Sequence, residues 1–137
     1  MSGCRGADPR WNRNAAVIRM RSVLPRERVR INCSEDFGSS QRKRDRFFGF
    51  HIHQGDNCSG TDFSGTGSHY NPSDQAHPKH AGDLPPLLEC QGNAYLSVRT
   101  DRFSVADIIG RTVVIHSDPD DFHSQPAGNA GRRLPAA

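Results

Sequence analysis

The chain has 137 residues, of which 34% are hydrophobic, 13 are glycine and 9 are proline. This length fits one domain with a hydrophobic core, and the composition favours a loop-rich β protein over a helical one. No apolar run approaches the ~20 residues of a membrane-spanning helix, so we expect no membrane partner. No apolar leader follows the first residues, so the sequence as written predicts no export.

Positive charge is concentrated at the beginning of the chain. Residues 1–46 hold 12 of the 18 Lys and Arg residues and 5 of the 15 Asp and Glu residues, a net charge of +7, against −4 for residues 47–137. This asymmetry predicts a basic, poorly ordered segment over 1–46, strand-like only at 15–18 and 29–31, and a folded domain over 47–137. A nucleic-acid-binding arm is the weaker interpretation, because few aromatic residues are present to stack on bases, and we expect no nucleic-acid partner.

Apolar and polar residues alternate in three later stretches, which predicts three β-strands. The first begins at Phe47 and carries two histidines on its polar face, the second covers residues 94–98, and the third covers residues 112–116. Between the last two, Ser104 is a candidate N-cap for a short turn or helix over residues 104–109.

Six of the seven histidines occur, together with an aspartate, in a pattern typical of metal ligands. Two of them stand two residues apart on the first predicted strand, so they point the same way, roughly 7 Å apart. Four candidates lie in the polar stretch over residues 54–92, which a bound metal ion would order. The candidate ligands are His51, His53, His69, His77, His80, Asp83 and His116.

The residue types predict which metal ions such sites would hold. The loop ligands form a closed set of three imidazoles and one carboxylate, which zinc prefers, whereas a set made only of imidazoles suits copper. Ordinary surface histidines are the alternative, but they do not explain so regular a grouping. Only His123 is expected to be a solvated loop residue.

Five stretches of the sequence resemble copper/zinc superoxide dismutases of the bacterial type. They are Gly49-Phe-His-Ile-His, Gly67-Ser-His-Tyr-Asn-Pro, His80-Ala-Gly-Asp-Leu, Ile109-Gly-Arg-Thr-Val-Val-Ile-His and Gly128-Asn-Ala-Gly-Arg-Arg-Leu. The resemblance covers about residues 47–134. It implies an all-β fold, the Greek-key β-barrel or sandwich of that family. It also implies an enzyme that converts the superoxide anion to dioxygen and hydrogen peroxide.

The resemblance further implies a role for each site residue. His69 would bridge the two ions and exchange a proton during catalysis, and Arg133 would attract the superoxide anion. Asp120 would link the two sites by accepting hydrogen bonds from ligand histidines. The implied copper ligands are His51, His53, His69 and His116, and the implied zinc ligands are His69, His77, His80 and Asp83. Bacterial members of the family are often exported and often dimeric, so the localisation is left open and a homodimer is a further expectation.

Both ends of the sequence depart from the family pattern. Residues 1–46 contain no Gly-Leu-Pro-like turn, and residues 134–137 read Leu-Pro-Ala-Ala where the family continues into Ala-Cys-Gly and a last strand. We therefore expect the first strands and the last strand to be missing or degenerate. Cys58 occupies the family's disulfide position, but Ala136 stands where its partner would be, so we expect Cys58 to have no partner.

Two hypotheses follow from these departures. The charge reversal near residue 47 suggests that a shifted reading frame encodes residues 1–46, which translation of the neighbouring frames would test. The second hypothesis concerns function: because the zinc ligands are local in sequence and the copper ligands are not, the protein could be a zinc-binding remnant without enzymatic activity.

Overall fold

The structure, a computed structural model, describes residues 2–3, 17–23, 26–34, 46–90 and 93–135, with side chains over 46–90 and 94–134. Nearly all the regular elements in these ranges are β-strands. The strands are β1 (Ser2–Gly3), β2 (Val17–Val23), β3 (Arg26–Ser34), β4 (Arg46–Phe48), β5 (Phe50–His53), β6 (Leu87–Cys90), β7 (Asn93–Thr100), β8 (Thr112–His116) and β9 (Arg133–Pro135). The described ranges contain no helix long and apolar enough to span a bilayer.

The first sheet is built around β8. Strand β5 pairs with it in the antiparallel sense and places His51 opposite Val114. Strand β1 pairs in parallel with the start of β8, and β9 pairs in the antiparallel sense with its end, where Arg133 lies opposite His116. This register gathers four of the predicted site residues on neighbouring strands, since β5 also carries His53.

The second sheet has the strand order β2-β3-β7-β6-β4 and is antiparallel throughout. Two sheets and little helix confirm the predicted all-β sandwich. The short helix α1 (Val105–Ile108) also matches its prediction, because Ser104 caps it and forms a reciprocal capping box with Asp107.

Apolar side chains from both sheets form one buried core. Phe48, Phe50 and Ile52 belong to it, as the alternation of the first predicted strand required, and Val113 and Ile115 join them from β8. Each of these side chains is 2% exposed or less. Burying a side chain of this size stabilises the fold by about 1.5–3 kcal/mol.

The first predicted strand is in fact two strands in different sheets, with the change of sheet at Gly49. The Gly49 N–H donates to the carbonyl of Asp118 at 2.8 Å, and its carbonyl accepts from the His116 N–H at 2.8 Å. A Cβ at this position would lie only 2.7 Å from the Cβ of Ala130. The chain therefore crosses between the sheets at a residue without a side chain, directly beside a predicted ligand.

The polar stretch after β5 is attached to that strand by backbone hydrogen bonds. The N–H of Tyr70 donates to the carbonyl of Ile52 at 2.8 Å, and the N–H of Ile52 donates to the carbonyl of Gly82 at 2.9 Å. Cys58 lies in the same stretch and is disulfide-bonded, so the prediction that it has no partner is wrong. That prediction gave little weight to cysteines outside the family pattern, and a cysteine at a position other than 136 makes the bond.

One further expectation, about the first strands, needs correction. Strands β2 and β3 pair over seven and eight residues with β3 and β7 respectively, where the sequence predicted only faint strand fragments. Strand β9 covers only three residues where the last strand was expected to be missing or degenerate, and pairing with β8 supplies the hydrogen bonds of its backbone. Other parts of the predicted N-terminal segment lie outside the described residues, and its boundary at residues 46 and 47 stays a prediction.

Candidate metal centre

The seven predicted ligand side chains meet in one buried cluster, and each residue is 8% exposed or less. They divide into two groups that share His69. Within each group, one ligand atom from every residue lies within 4.8 Å of the others. The first group is His51, His53, His69 and His116, and the second is His69, His77, His80 and Asp83.

In the first group, the ring nitrogens that point outward have hydrogen-bond acceptors. Nδ1 of His53 lies 2.8 Å from the carbonyl of Gly67, and Nε2 of His51 lies 2.7 Å from Oδ2 of Asp120. These contacts assign the protons to those nitrogens, so the opposite nitrogen of each ring carries a lone pair that points into the group.

The inward nitrogens fit a bound cation. Nδ1 of His51 and Nε2 of His69 are buried without a hydrogen-bond partner, and Nε2 of His53 lies 3.3 Å from Nε2 of His116. Lone pairs converging in a buried space repel one another and leave polar atoms unsatisfied, which is costly unless a cation lies between them. The first group therefore has the donors and the arrangement of a metal site.

The second group comes from a single segment, residues 69–83. Oδ1 of Asp83 lies 2.7 Å from Nδ1 of His69, and Oδ2 lies 3.1 Å from Nδ1 of His80. Nδ1 of His77 is also 3.1 Å from Oδ2, yet this buried nitrogen makes no hydrogen bond. Three imidazole nitrogens and a carboxylate oxygen around one point make the closed set that zinc prefers.

Asp120 joins the two groups, as the resemblance implied. Its Oδ2 accepts from His51 at 2.7 Å, and its Oδ1 accepts from His77 at 2.8 Å and from the N–H of Phe122 at 2.8 Å. Burial acts to raise the pKa of this carboxyl, but the hydrogen bonds from His51, Phe122 and His77 outweigh it and lower the pKa well below its usual range. Gly128 is required here, because a Cβ would collide with Oδ1 of Asp120.

Burial lowers the pKa of three imidazoles of the first group, those of His51, His53 and His116, and so favours the neutral form that binds metal. Desolvation, together with the nearby His69, His116 and Arg133, lowers the pKa of His53 to about 2, against the opposing hydrogen bond to Gly67. Desolvation also lowers the pKa of His116 to about 3. A ring that is unprotonated at neutral pH offers its lone pair to a metal ion without first losing a proton.

A cavity of about 830 Å³ opens over the first group and is lined by His53, His69 and His116. The half-buried Arg133 also lines it, with its Nη1 donating to the carbonyl of Phe63 at 3.2 Å and its Nη2 to the carbonyl of Gly67 at 3.1 Å. Since the same Gly67 carbonyl accepts from His53, the guanidinium is held beside the metal group. A permanently charged guanidinium in such a cavity favours a small anion.

Two residues that support the second group were missed by the sequence analysis. The side-chain amide of Gln125 accepts from the N–H of His77 at 3.0 Å and donates to its carbonyl at 2.8 Å. The guanidinium of Arg102 donates to backbone carbonyls of the segment that carries the ligands. No local sequence signal marks either residue, because both contacts join positions far apart in the chain.

Comparisons with known proteins agree with this geometry. A family model described as copper/zinc superoxide dismutase matches residues 28–137. The match begins inside the segment that was expected to lie outside the family, which is evidence against a shifted reading frame over residues 28–46.

Curated relatives carry the same description. Superoxide dismutase (Cu-Zn) 2 of Aquifex aeolicus is 36% identical over 100 residues, which cover 62% of this chain and 58% of the relative. Superoxide dismutase (Cu-Zn) of Deinococcus radiodurans is 35% identical over 106 residues, with coverage of 62% and 58%. The chain thus spans about six-tenths of the length of these relatives.

Among solved structures, a SOD-like protein from Bacillus subtilis is similar with a TM-score of 0.65, 25% identity and 90% of each chain covered.

Proposed function

The chain belongs to the copper/zinc superoxide dismutase family, and on that premise we propose that it is a superoxide dismutase. Two superoxide anions and two protons would give one dioxygen and one hydrogen peroxide. The family implies copper and zinc, and the two histidine groups are able to hold both ions.

We assign copper to the first group and zinc to the second. An all-imidazole set suits copper, and three imidazoles with a carboxylate suit zinc. Copper, when bound, supplies the redox couple that takes an electron from one superoxide and returns it to another. Zinc has no redox chemistry. Its role would be structural: by binding the four ligands of the second group it would order the segment over residues 69–83.

Arg133 would bind and orient the substrate. Its guanidinium carries a positive charge at any physiological pH and lines the same cavity as His53 and His116. Its hydrogen bonds to two backbone carbonyls hold it there before the anion arrives. Binding is therefore proposed to cost little reorganisation of the side chain.

His69 would serve both groups and handle a proton. Its Nδ1 faces the second group, where Asp83 lies 2.7 Å away, while its Nε2 is buried without a partner and faces the first group. Nε2 can take up a proton whenever no metal occupies its lone pair, and it borders the cavity that would hold the substrate. We propose that this atom delivers one of the two protons that peroxide formation requires.

The observation that carries the proposal is the set of buried inward nitrogens at the bottom of a cavity that also holds a fixed guanidinium. The test is metal analysis combined with a superoxide-consumption assay on copper- and zinc-loaded protein. We expect one copper and one zinc per chain with activity, loss of activity in His116→Ala, and retained activity in the exposed control His123→Ala. Activity in the His116→Ala variant would contradict the assignment.

A second candidate function is a zinc-binding remnant without catalysis. It is favoured by the local origin of the second group, whose ligands all come from residues 69–83. Zinc alone in the loaded protein, with no superoxide consumption, would establish it. The expected homodimer stays a prediction, which the mass of the loaded protein in solution would test.

A further inference from the structure

Arg102 lies between β7 and α1, far in sequence from the metal ligands, yet its side chain reaches their backbone. Its Nη1 is 3.0 Å from the carbonyl oxygen of Asp83, 3.2 Å from that of His80 and 3.3 Å from that of Pro78. Two of these three residues supply ligand atoms to the second group. One guanidinium therefore spans the turn on which that group is built.

The three carbonyl oxygens would repel one another if nothing lay between them. All three lie within 3.3 Å of Nη1 of Arg102, and two of them belong to a tight turn over residues 80–83, in which the N–H of Asp83 donates to the carbonyl of His80 at 3.2 Å. The guanidinium offsets this repulsion because it is always charged and its Nη1 directs its N–H groups at these oxygens. The cation thus stabilises the conformation of the turn that presents the His80 and Asp83 side chains to a metal ion.

Arg102 is itself attached to the core. Its backbone N–H donates to Oγ1 of Thr100 at 3.2 Å, and the next residue, Phe103, is a buried member of the hydrophobic core. Thr100 is the last residue of β7, a strand of the second sheet. Arg102 consequently connects the metal-binding turn to that sheet.

We propose that Arg102 is a positioning residue for the second metal group. It fixes the backbone of the ligand turn in the metal-free protein, so that zinc binds to ligands already in place. The identity of the ion rests on the proposed function, but the positioning role does not require that the loaded protein be active. Substitution of a residue that orients metal ligands commonly lowers metal affinity by about 10–100-fold.

The experiment compares Arg102→Gln, Arg102→Lys and the matched control Arg99→Gln. Arg99 is an exposed arginine of the same segment and lines the same cavity of about 490 Å³ as Arg102. The dissociation constant for zinc is measured by competition with a chelator, and cobalt(II) in place of zinc reports the coordination geometry by its visible absorption. Thermal unfolding of each metal-free variant monitors the fold.

We expect Arg102→Gln to bind zinc about tenfold or more weakly, with an altered cobalt(II) spectrum. Arg102→Lys should recover part of the affinity, because it keeps the charge but lacks the planar set of donors. Arg99→Gln should match the parent. Should Arg102→Gln fail to fold, the lysine variant carries the test, and an intermediate zinc affinity is then expected.

Unchanged zinc affinity in a folded Arg102→Gln variant would overturn the inference, whether or not its unfolding temperature falls. An equal loss in Arg99→Gln would also overturn it, since the effect would then be one of net charge. These failures differ from failure of the proposed function, in which the parent protein itself binds zinc but shows no copper-dependent activity.

Discussion

The two metal groups are built in different ways, although they share a histidine and lie side by side. The first takes its ligands from β5, from the following segment and from β8, whose last residue is 65 positions beyond the first ligand. The second takes all its ligands from residues 69–83. The first group therefore depends on the register of a sheet, and the second depends on how one segment of backbone is held.

This difference shows in what surrounds each group. Backbone pairing with β8 places His51 and His53 of the first group. In the second group, side-chain contacts from distant residues place the ligands. Gln125 hydrogen-bonds to the backbone of His77. Arg102 donates to the carbonyls of His80 and Asp83. A loop without regular structure needs such contacts to be ordered before a metal arrives.

The largest expected effect separates the two groups. His116→Ala removes a ligand of the first group only, and His80→Ala removes a ligand of the second only. Since loss of a mere orienting residue costs about 10–100-fold in affinity, we expect losses above about 100-fold, in copper affinity for the first variant and in zinc affinity for the second. Competition titrations with each metal measure this. Equal loss of both metals in both variants would show that the groups are one unit.

Asp120 tests the link between the groups. Asp120→Asn preserves the size of the side chain but replaces one acceptor oxygen by a donor, so His51 or His77 loses its hydrogen bond. We expect about 10–100-fold weaker binding of at least one metal, measured by the same titrations. The exposed Asp101→Asn serves as the control and should bind both metals like the parent. Parent-like affinities in Asp120→Asn would mean that the bridge does not support the ligands.

Arg133 concerns the substrate rather than either metal. We expect Arg133→Gln to retain both metals and to lose about tenfold or more in activity, because a hydrogen bond to a charged group contributes about 1.5–3 kcal/mol. Arg132→Gln should have a smaller effect that salt suppresses, since Arg132 is exposed. Superoxide consumption at low and high ionic strength distinguishes the two arginines, and a larger loss in Arg132→Gln would reverse their roles.

The first group should also destabilise the metal-free protein in acid. The pKa of His53 is lowered to about 2 and that of His116 to about 3, whereas the unfolded chain takes up these protons near pH 6.5. Stability is therefore present above that pH and is lost as the pH falls toward about 3.

When the pH is lowered from 7 to 5, the unfolded chain takes up protons on these two histidines and the folded protein does not. For each histidine this should lower the free energy of unfolding by about 2 kcal/mol. Denaturant unfolding of metal-free protein at both pH values measures the loss, which His53→Gln should reduce and His123→Ala should not. A metal-free protein equally stable at pH 7 and pH 5 would show that these rings are protonated in the folded state.

The sequence analysis named the residues of the two candidate metal groups because their residue types, spacing and motifs are local. It missed β2 because the arginines were interpreted as interruptions of apolar clusters. In the pairing of β2 with β3, Arg19 lies opposite Arg30, and Ile18 lies opposite Ile31. The arginines thus alternate with apolar residues at the period of a strand.

Other features could not be predicted from sequence because they depend on contacts distant in the chain. Strand β9 needs β8 as its partner, and the bond of Cys58 needs a cysteine that the family pattern does not provide. Arg102 contacts carbonyls 19 to 24 residues away, and Gln125 contacts His77 across 48 residues. Short motifs contain no information about such pairs.

The central claim is that His69 joins two different metal ions, one in each group. Crystals of copper- and zinc-loaded protein, with anomalous diffraction recorded at the absorption edges of both metals, test it most directly. We predict a copper peak among His51, His53 and His116, a zinc peak among His77, His80 and Asp83, and the His69 ring between them. A single peak, or two peaks of which one or both lie away from His69, would contradict the account.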